Sequence, residues 1–113
     1  MNVNPLIQTL STITNLPVEP DMYEGEASSY IVYTYEDERP VYFGDGRAKH
    51  DTAWVSVALY TPKNADYMQL KKLIRDHLEA LGFIVTDISS WLEPYAGDYI
   101  RRTTFSVTYT EKH

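Results

Sequence analysis

Asp51-Thr52-Ala53-Trp54-Val55-Ser56-Val57-Ala58-Leu59-Tyr60-Thr61 alternates along its whole length. Successive side chains of a strand point to opposite faces. Ala53, Val55, Val57 and Leu59 therefore form one face, and Trp54, Ser56, Ala58 and Tyr60 the other. The first set belongs on a core. The second shows Trp54 and Tyr60 to solvent unless something covers it. After Pro62 the period changes. Tyr67, Leu70, Ile74, Leu78 and Leu81 recur at intervals of three and four, which predicts an amphipathic helix with Asn64 as cap and Gly82 as stop. Met68, Leu73 and His77 flank that stripe, and Lys72–Asp76 and Arg75–Glu79 are spaced as i,i+4 ion pairs.

Upstream of this unit, residues 28–35 read as a strand, with Ile31, Tyr33 and Tyr35 alternating with Tyr30, Val32 and Thr34. Residues 36–40 (Glu36, Asp37, Glu38, Arg39, Pro40) read as a turn, and residues 41–43 as a short return strand. Gly44-Asp45-Gly46 then opens a loop running to His50. The N-terminal stretch predicts a helix over residues 5–16. Asn4 is its expected cap, Pro5 suits its first position, and Leu6, Ile7, Leu10, Ile13 and Leu16 form its apolar face. Glu19, Asp21, Glu24 and Glu26 lie in an acidic connector that reads as a loop.

Downstream, residues 83–91 predict a strand, residues 93–98 a turn, and residues 99–110 a final strand. The expected fold is one α+β domain over residues 1–113. A mostly antiparallel sheet of four to five strands carries two helices on one face, in the order α-β-β-β-α-β-β. The uncovered face carries Tyr30, Trp54 and Tyr60, and an exposed aromatic face of this kind marks an interface. Arg101 and Arg102 are adjacent in the last strand, so only one of them shares that face. Two readings compete for them: guarding a sheet edge, or pairing with a carboxylate of a neighbouring subunit.

Composition narrows the function. Ten of the 15 aromatic residues are tyrosines, whose apolar rings and polar tips suit half-buried surfaces and interfaces. The net charge of −6 and the lack of clustered Lys and Arg argue against specific nucleic-acid binding. Cysteine is absent, which excludes disulfides, thiol nucleophiles and Cys-ligated zinc. The N-terminal stretch lacks a basic signal-peptide region, and no apolar run reaches the ~20 residues of a membrane span. His50, His77 and His113 are scattered, without metal-ligand spacing, and His77 reads as a packing residue. No G-x-G-x-x-G, G-x-x-x-x-G-K-[ST] or G-x-S-x-G motif occurs. These features predict a protein that is not an enzyme, with no cofactor and no metal.

In this arrangement the chain resembles the small tail-terminator, or tail-completion, proteins of long-tailed bacteriophages and prophages. The resemblance rests on residues 33–43 with the Gly44-Asp45-Gly46 loop, and on the strand ending Val57-Ala58-Leu59-Tyr60. It continues through Asp66-Tyr67-Met68, Lys72-Leu73-Ile74-Arg75 and Leu81-Gly82-Phe83. It ends with Trp91-Leu92-Glu93, Asp98-Tyr99 and the closing strand with Phe105. Those proteins often have a histidine just after the turn before the last strand, where this chain has Arg101 or Arg102.

The resemblance implies a non-enzymatic virion protein, assembled in the bacterial host cytoplasm. It implies a homo-oligomeric ring, usually a hexamer, at the head-proximal end of the tail tube. The ring contacts the tail tube protein, stops tube growth and presents a surface to the head connector. An acidic lumen would let DNA slide without sticking, which predicts that Glu36, Asp37 and Glu38, or the acidic connector, face the ring axis. Another head–tail joining protein and a monomeric protein-binding module using the aromatic face are the rival readings.

Overall fold

The computed structural model describes residues 2–43 and 47–112. The Gly44-Asp45-Gly46 start of the expected loop and His113 lie outside the described residues. Five strands form one sheet: β1 (Val18–Pro20), β2 (Tyr30–Phe43), β3 (Arg47–Pro62), β4 (Ile84–Tyr95) and β5 (Asp98–Lys112). Their order is β1-β2-β3-β5-β4. β1 runs parallel to β2, and the other three neighbouring pairs are antiparallel. Helices α1 (Asn4–Gln8), α2 (Leu10–Thr14) and α3 (Met68–Ala80) pack on one face. The class is α+β with a mostly antiparallel sheet, as the alternation predicts.

The centre of β3 places the core. Ala53, Val55, Val57 and Leu59 are fully buried. Register sets Ile31 and Tyr33 of β2 beside Leu59 and Val57, and Phe105 and Val107 of β5 beside Val57 and Val55. Ile7 and Leu10 close over this layer from the first helices, and Ile74 and Leu78 close over it from α3. Each such aliphatic burial stabilises by about 1.5–3 kcal/mol. The predicted stripe and ion pairs of α3 are present, with Lys72–Asp76 at 2.7 Å and Arg75–Glu79 at 3.8 Å. Gly82 stops the helix at a φ of 102°, a left-handed conformation open mainly to glycine. The helix start differs from expectation. Tyr67 is the cap residue, and the Asp66 carboxylate, not Asn64, accepts the Met68 N–H at 3.0 Å.

The first predicted helix is a broken pair. The Thr9, Ser11 and Thr14 hydroxyls donate to the carbonyls of Leu6, Gln8 and Leu10, a back-bonding that competes with the helical ladder and bends it. Asn15 adopts a left-handed φ of 59° and ends α2 before Pro17 is reached. Asn4 is already helical. Val3 is the cap residue, and the Asn2 side chain accepts the Asn4 N–H at 3.0 Å.

The largest correction concerns residues 36–43. Glu36, Asp37, Glu38 and Pro40 form no turn: β2 runs unbroken from Tyr30 to Phe43, with a bulge between Tyr35 and Asp37. The expected return strand is the end of the same strand, and Arg47–His50 belong to β3. Glu36, Asp37 and Glu38 are exposed, so their charges cost little in a strand there. Pro40 lacks an N–H, yet β1 pairs only with Ile31–Tyr33, leaving the rest of β2 as an edge where proline is tolerated. The acidic connector also begins as a strand, β1. The order still reads α-β-β-β-α-β-β with α1 and α2 taken as one broken helix. The hairpin between β4 and β5 is tighter than expected. Only Ala96 and Gly97 form its turn, with φ of 51° and 80°, the positive pair that matches strand twist.

Candidate interface on the open sheet face

The face opposite the helices is organised by strand register. Tyr30 pairs with Tyr60, Tyr60 with Arg102, and Arg102 with Trp91. One line of side chains therefore crosses β2, β3, β5 and β4. Tyr23, from the connector after β1, extends the line by stacking on Tyr30 at 4.3 Å between ring centroids. Tyr30 stacks on Tyr60 at 4.9 Å, with the rings 19° apart. The Arg102 guanidinium carbon then lies 5.5 Å from the Tyr60 centroid and 5.4 Å from that of Trp91. Aromatic pairs of this kind contribute about 0.5–1.5 kcal/mol beyond their burial, and exposed cation–π contacts about 0.5–1 kcal/mol.

Polar groups hold the arginine in place. Its Nε donates to the Thr104 hydroxyl at 3.1 Å, and its Nη1 lies 3.8 Å from Glu93 Oε1. Glu93 Oε1 is shielded from water and makes no hydrogen bond, so the guanidinium is its electrostatic partner. The phenol of Tyr30 is pushed above its ordinary value, first by burial and then by the neighbouring Tyr95, Tyr60, Glu93 and Tyr23. The phenol of Tyr60 is pushed up by burial and by Glu93, against the opposing pull of Arg102. Both phenols stay neutral near pH 7 and serve as hydrogen-bond donors and acceptors. Trp91 remains 42% exposed and Tyr95 56% exposed. The result is a rigid amphipathic platform of aromatic faces and polar tips, the composition that distinguishes the centres of protein interfaces.

Of the residues singled out in the sequence, Tyr30, Tyr60 and Arg102 come together in this row. Trp54 is on the same face but six residues along β3 from Tyr60, a separation of roughly 20 Å. It lies opposite Asp37 and Thr108 and does not join the stack. Arg101 points to the helix face and sits over the Tyr67 ring at 4.8 Å. β5 lies between β3 and β4, so the edge-guarding reading of both arginines is wrong. Glu36, Asp37 and Glu38 are exposed on the projecting part of β2, where Glu36 is the extra residue of the bulge.

Tyr23, Trp91, Glu93 and Tyr95 were missed as members of this face. The signal was the alternation of Trp91, Glu93 and Tyr95, hidden because Glu93 and Pro94 read as a turn. His77 is half-buried, its Nε2 2.7 Å from the Thr9 hydroxyl. Among the described residues no three His, Asp or Glu side chains gather as a metal site. No described helix is long and apolar enough to cross a membrane. No family model matches the chain, and no curated protein matches its sequence.

Proposed function

We propose that the chain is a virion structural protein, a tail terminator that forms a ring at the head-proximal end of the tail tube and joins it to the head. The observation that carries this reading is the continuous row Tyr23–Tyr30–Tyr60–Arg102–Trp91. It is a preorganised, partly exposed aromatic surface on the sheet face opposite the helices. A rigid surface of this type loses little side-chain entropy on docking. Support also comes from the ordered resemblance that runs from Tyr33 to Phe105. In this role the chain acts by assembly and docking, without catalysis or a cofactor. The exposed Glu36, Asp37 and Glu38 supply negative charge toward the path of DNA.

The test is polymerisation of tail tube protein in the presence of the chain. Arrested tubes with a ring at one end are expected. Tyr60→Ala combined with Trp91→Ala should abolish the arrest while the variant stays folded. Tubes that grow to the same length with and without the chain would contradict the terminator role. Selective binding to completed heads would instead favour a head-side joining protein.

A further inference from the structure

Two features at opposite edges of the sheet are complementary. The first is the segment from Glu19 to Glu26 beside β1. Glu19, Asp21, Glu24 and Glu26 are exposed there, and among the described residues none of them has an ion-pair partner. Met22 stands among them, 64% exposed. The segment is held in shape. Asp21 turns through a φ of 63° and its N–H donates to the Tyr33 carbonyl at 2.9 Å. Tyr23 is stacked on Tyr30 and its hydroxyl accepts the Ala27 N–H at 2.9 Å. Gly25 leaves the space through which the Tyr23 phenol passes. Met22 is thus an exposed apolar side chain in a segment whose backbone is held and that carries four carboxylates.

The second feature is a groove of about 440 Å³ between α3 and β4, at the far edge. Met68 and Ile88 give it an apolar lining, and Lys71, Lys72, Arg75 and Gln69 complete it. Lys71 has no carboxylate partner among the described residues. Lys72 and Arg75 are held only by surface pairs to Asp76 and Glu79, which are weak and readily exchanged. An unbranched, polarisable methionine suits an irregular apolar groove, and four carboxylates would face three cations.

We propose that Met22 of one copy of this chain seats in the α3–β4 groove of the next, with the acidic segment against Lys71, Lys72 and Arg75. Knob and groove lie at opposite edges, so the contact is heterologous: each copy uses both surfaces, and repetition gives a ring or an open filament. Closure into a ring rests on the tail-terminator reading; the contact itself rests on the knob and the groove.

The experiment measures absolute mass by light scattering and native mass spectrometry for the wild type, Met22→Asp and Lys71→Glu. The wild type is expected to form a large oligomer that dissociates as salt is raised, and each variant alone a monomer. Met22→Asp keeps its groove and Lys71→Glu keeps its knob. An equimolar mixture should therefore stop at a one-to-one dimer, whereas an isologous interface would already cap the wild type itself at a dimer. In this cysteine-free chain, Met22→Cys mixed with Met68→Cys should also form a disulfide between copies under mild oxidation. A wild-type ring unaffected by either variant would overturn this junction and leave the ring reading standing; so would a groove that takes up only unrelated acidic chains. A wild type that stays monomeric at all concentrations would overturn both.

Discussion

Replacing Arg102 with alanine removes the one side chain that joins the two halves of the aromatic row. The guanidinium contacts Tyr60 at 5.5 Å and Trp91 at 5.4 Å, and each contact is worth about 0.5–1 kcal/mol. Its pair with Glu93 is about one-third exposed on each side, which limits the direct Coulomb gain to less than about 1 kcal/mol. The larger cost falls on Glu93, whose Oε1 is shielded and makes no hydrogen bond. A carboxylate left there without its cation costs about 1–3 kcal/mol. These contributions overlap, so Arg102→Ala should destabilise by about 2–4 kcal/mol, lowering Tm by about 8–16 °C for a domain of this size.

Urea unfolding followed by circular dichroism measures the change directly. A double-mutant cycle isolates its cause. In a Glu93→Gln background the cost of Arg102→Ala should shrink by about 1 kcal/mol, because no charge is then stranded. If Arg102→Ala lies within about 0.5 kcal/mol of wild type, the range of ordinary surface substitutions, the arginine does not organise this face and the reasoning fails.

Other predictions follow from particular positions. Tyr30 and Tyr60 both titrate above the ordinary phenol value of 10.0 in the folded chain, chiefly because burial disfavours the phenolate. The native state holds these protons more tightly. Their contribution is complete below pH 10 and is lost as pH rises from there through the folded values. The urea midpoint should fall above about pH 10, and the fall should be smaller in a Tyr30→Phe, Tyr60→Phe double variant. Gly82→Ala meets open space but keeps a φ of 102°, so it should cost about 1–2 kcal/mol from backbone strain alone, with Gly82→Asn milder by thermal melting. Gly25→Ala would drive its Cβ into the Tyr23 phenol. Near-ultraviolet circular dichroism should lose part of the tyrosine signal as Tyr23 leaves Tyr30, with little change in Tm.

The parts of the fold readable from sequence were those where burial enforces a period. β3 and α3 announce themselves because Val55, Val57 and Leu59, and then Ile74 and Leu78, must all face one core. β2 is misread where that pressure ends: Glu36, Asp37 and Glu38 are exposed, so they look like a turn although the backbone stays paired. β1 is three residues long and paired on one side only, too short to leave a pattern in Val18, Glu19 and Pro20. The break at Thr9 depends on hydroxyl back-bonds that composition does not distinguish from an ordinary polar helix face.

The candidate site was half legible for the same reason. Tyr30, Tyr60 and Arg102 follow from alternation within strands. That they line up with Trp91 depends on register across β5 and β4, which the two-residue Ala96-Gly97 turn sets. Trp54 had the correct face and the wrong neighbourhood, because alternation fixes a side and not a position along the strand.

The proposed role requires this chain to form a ring. Its most direct test is the absolute mass of the wild-type protein across a concentration series, with electron microscopy of the largest species. A closed ring near six protomers is expected. A monomer at every concentration, with no ring in the micrographs, would contradict it.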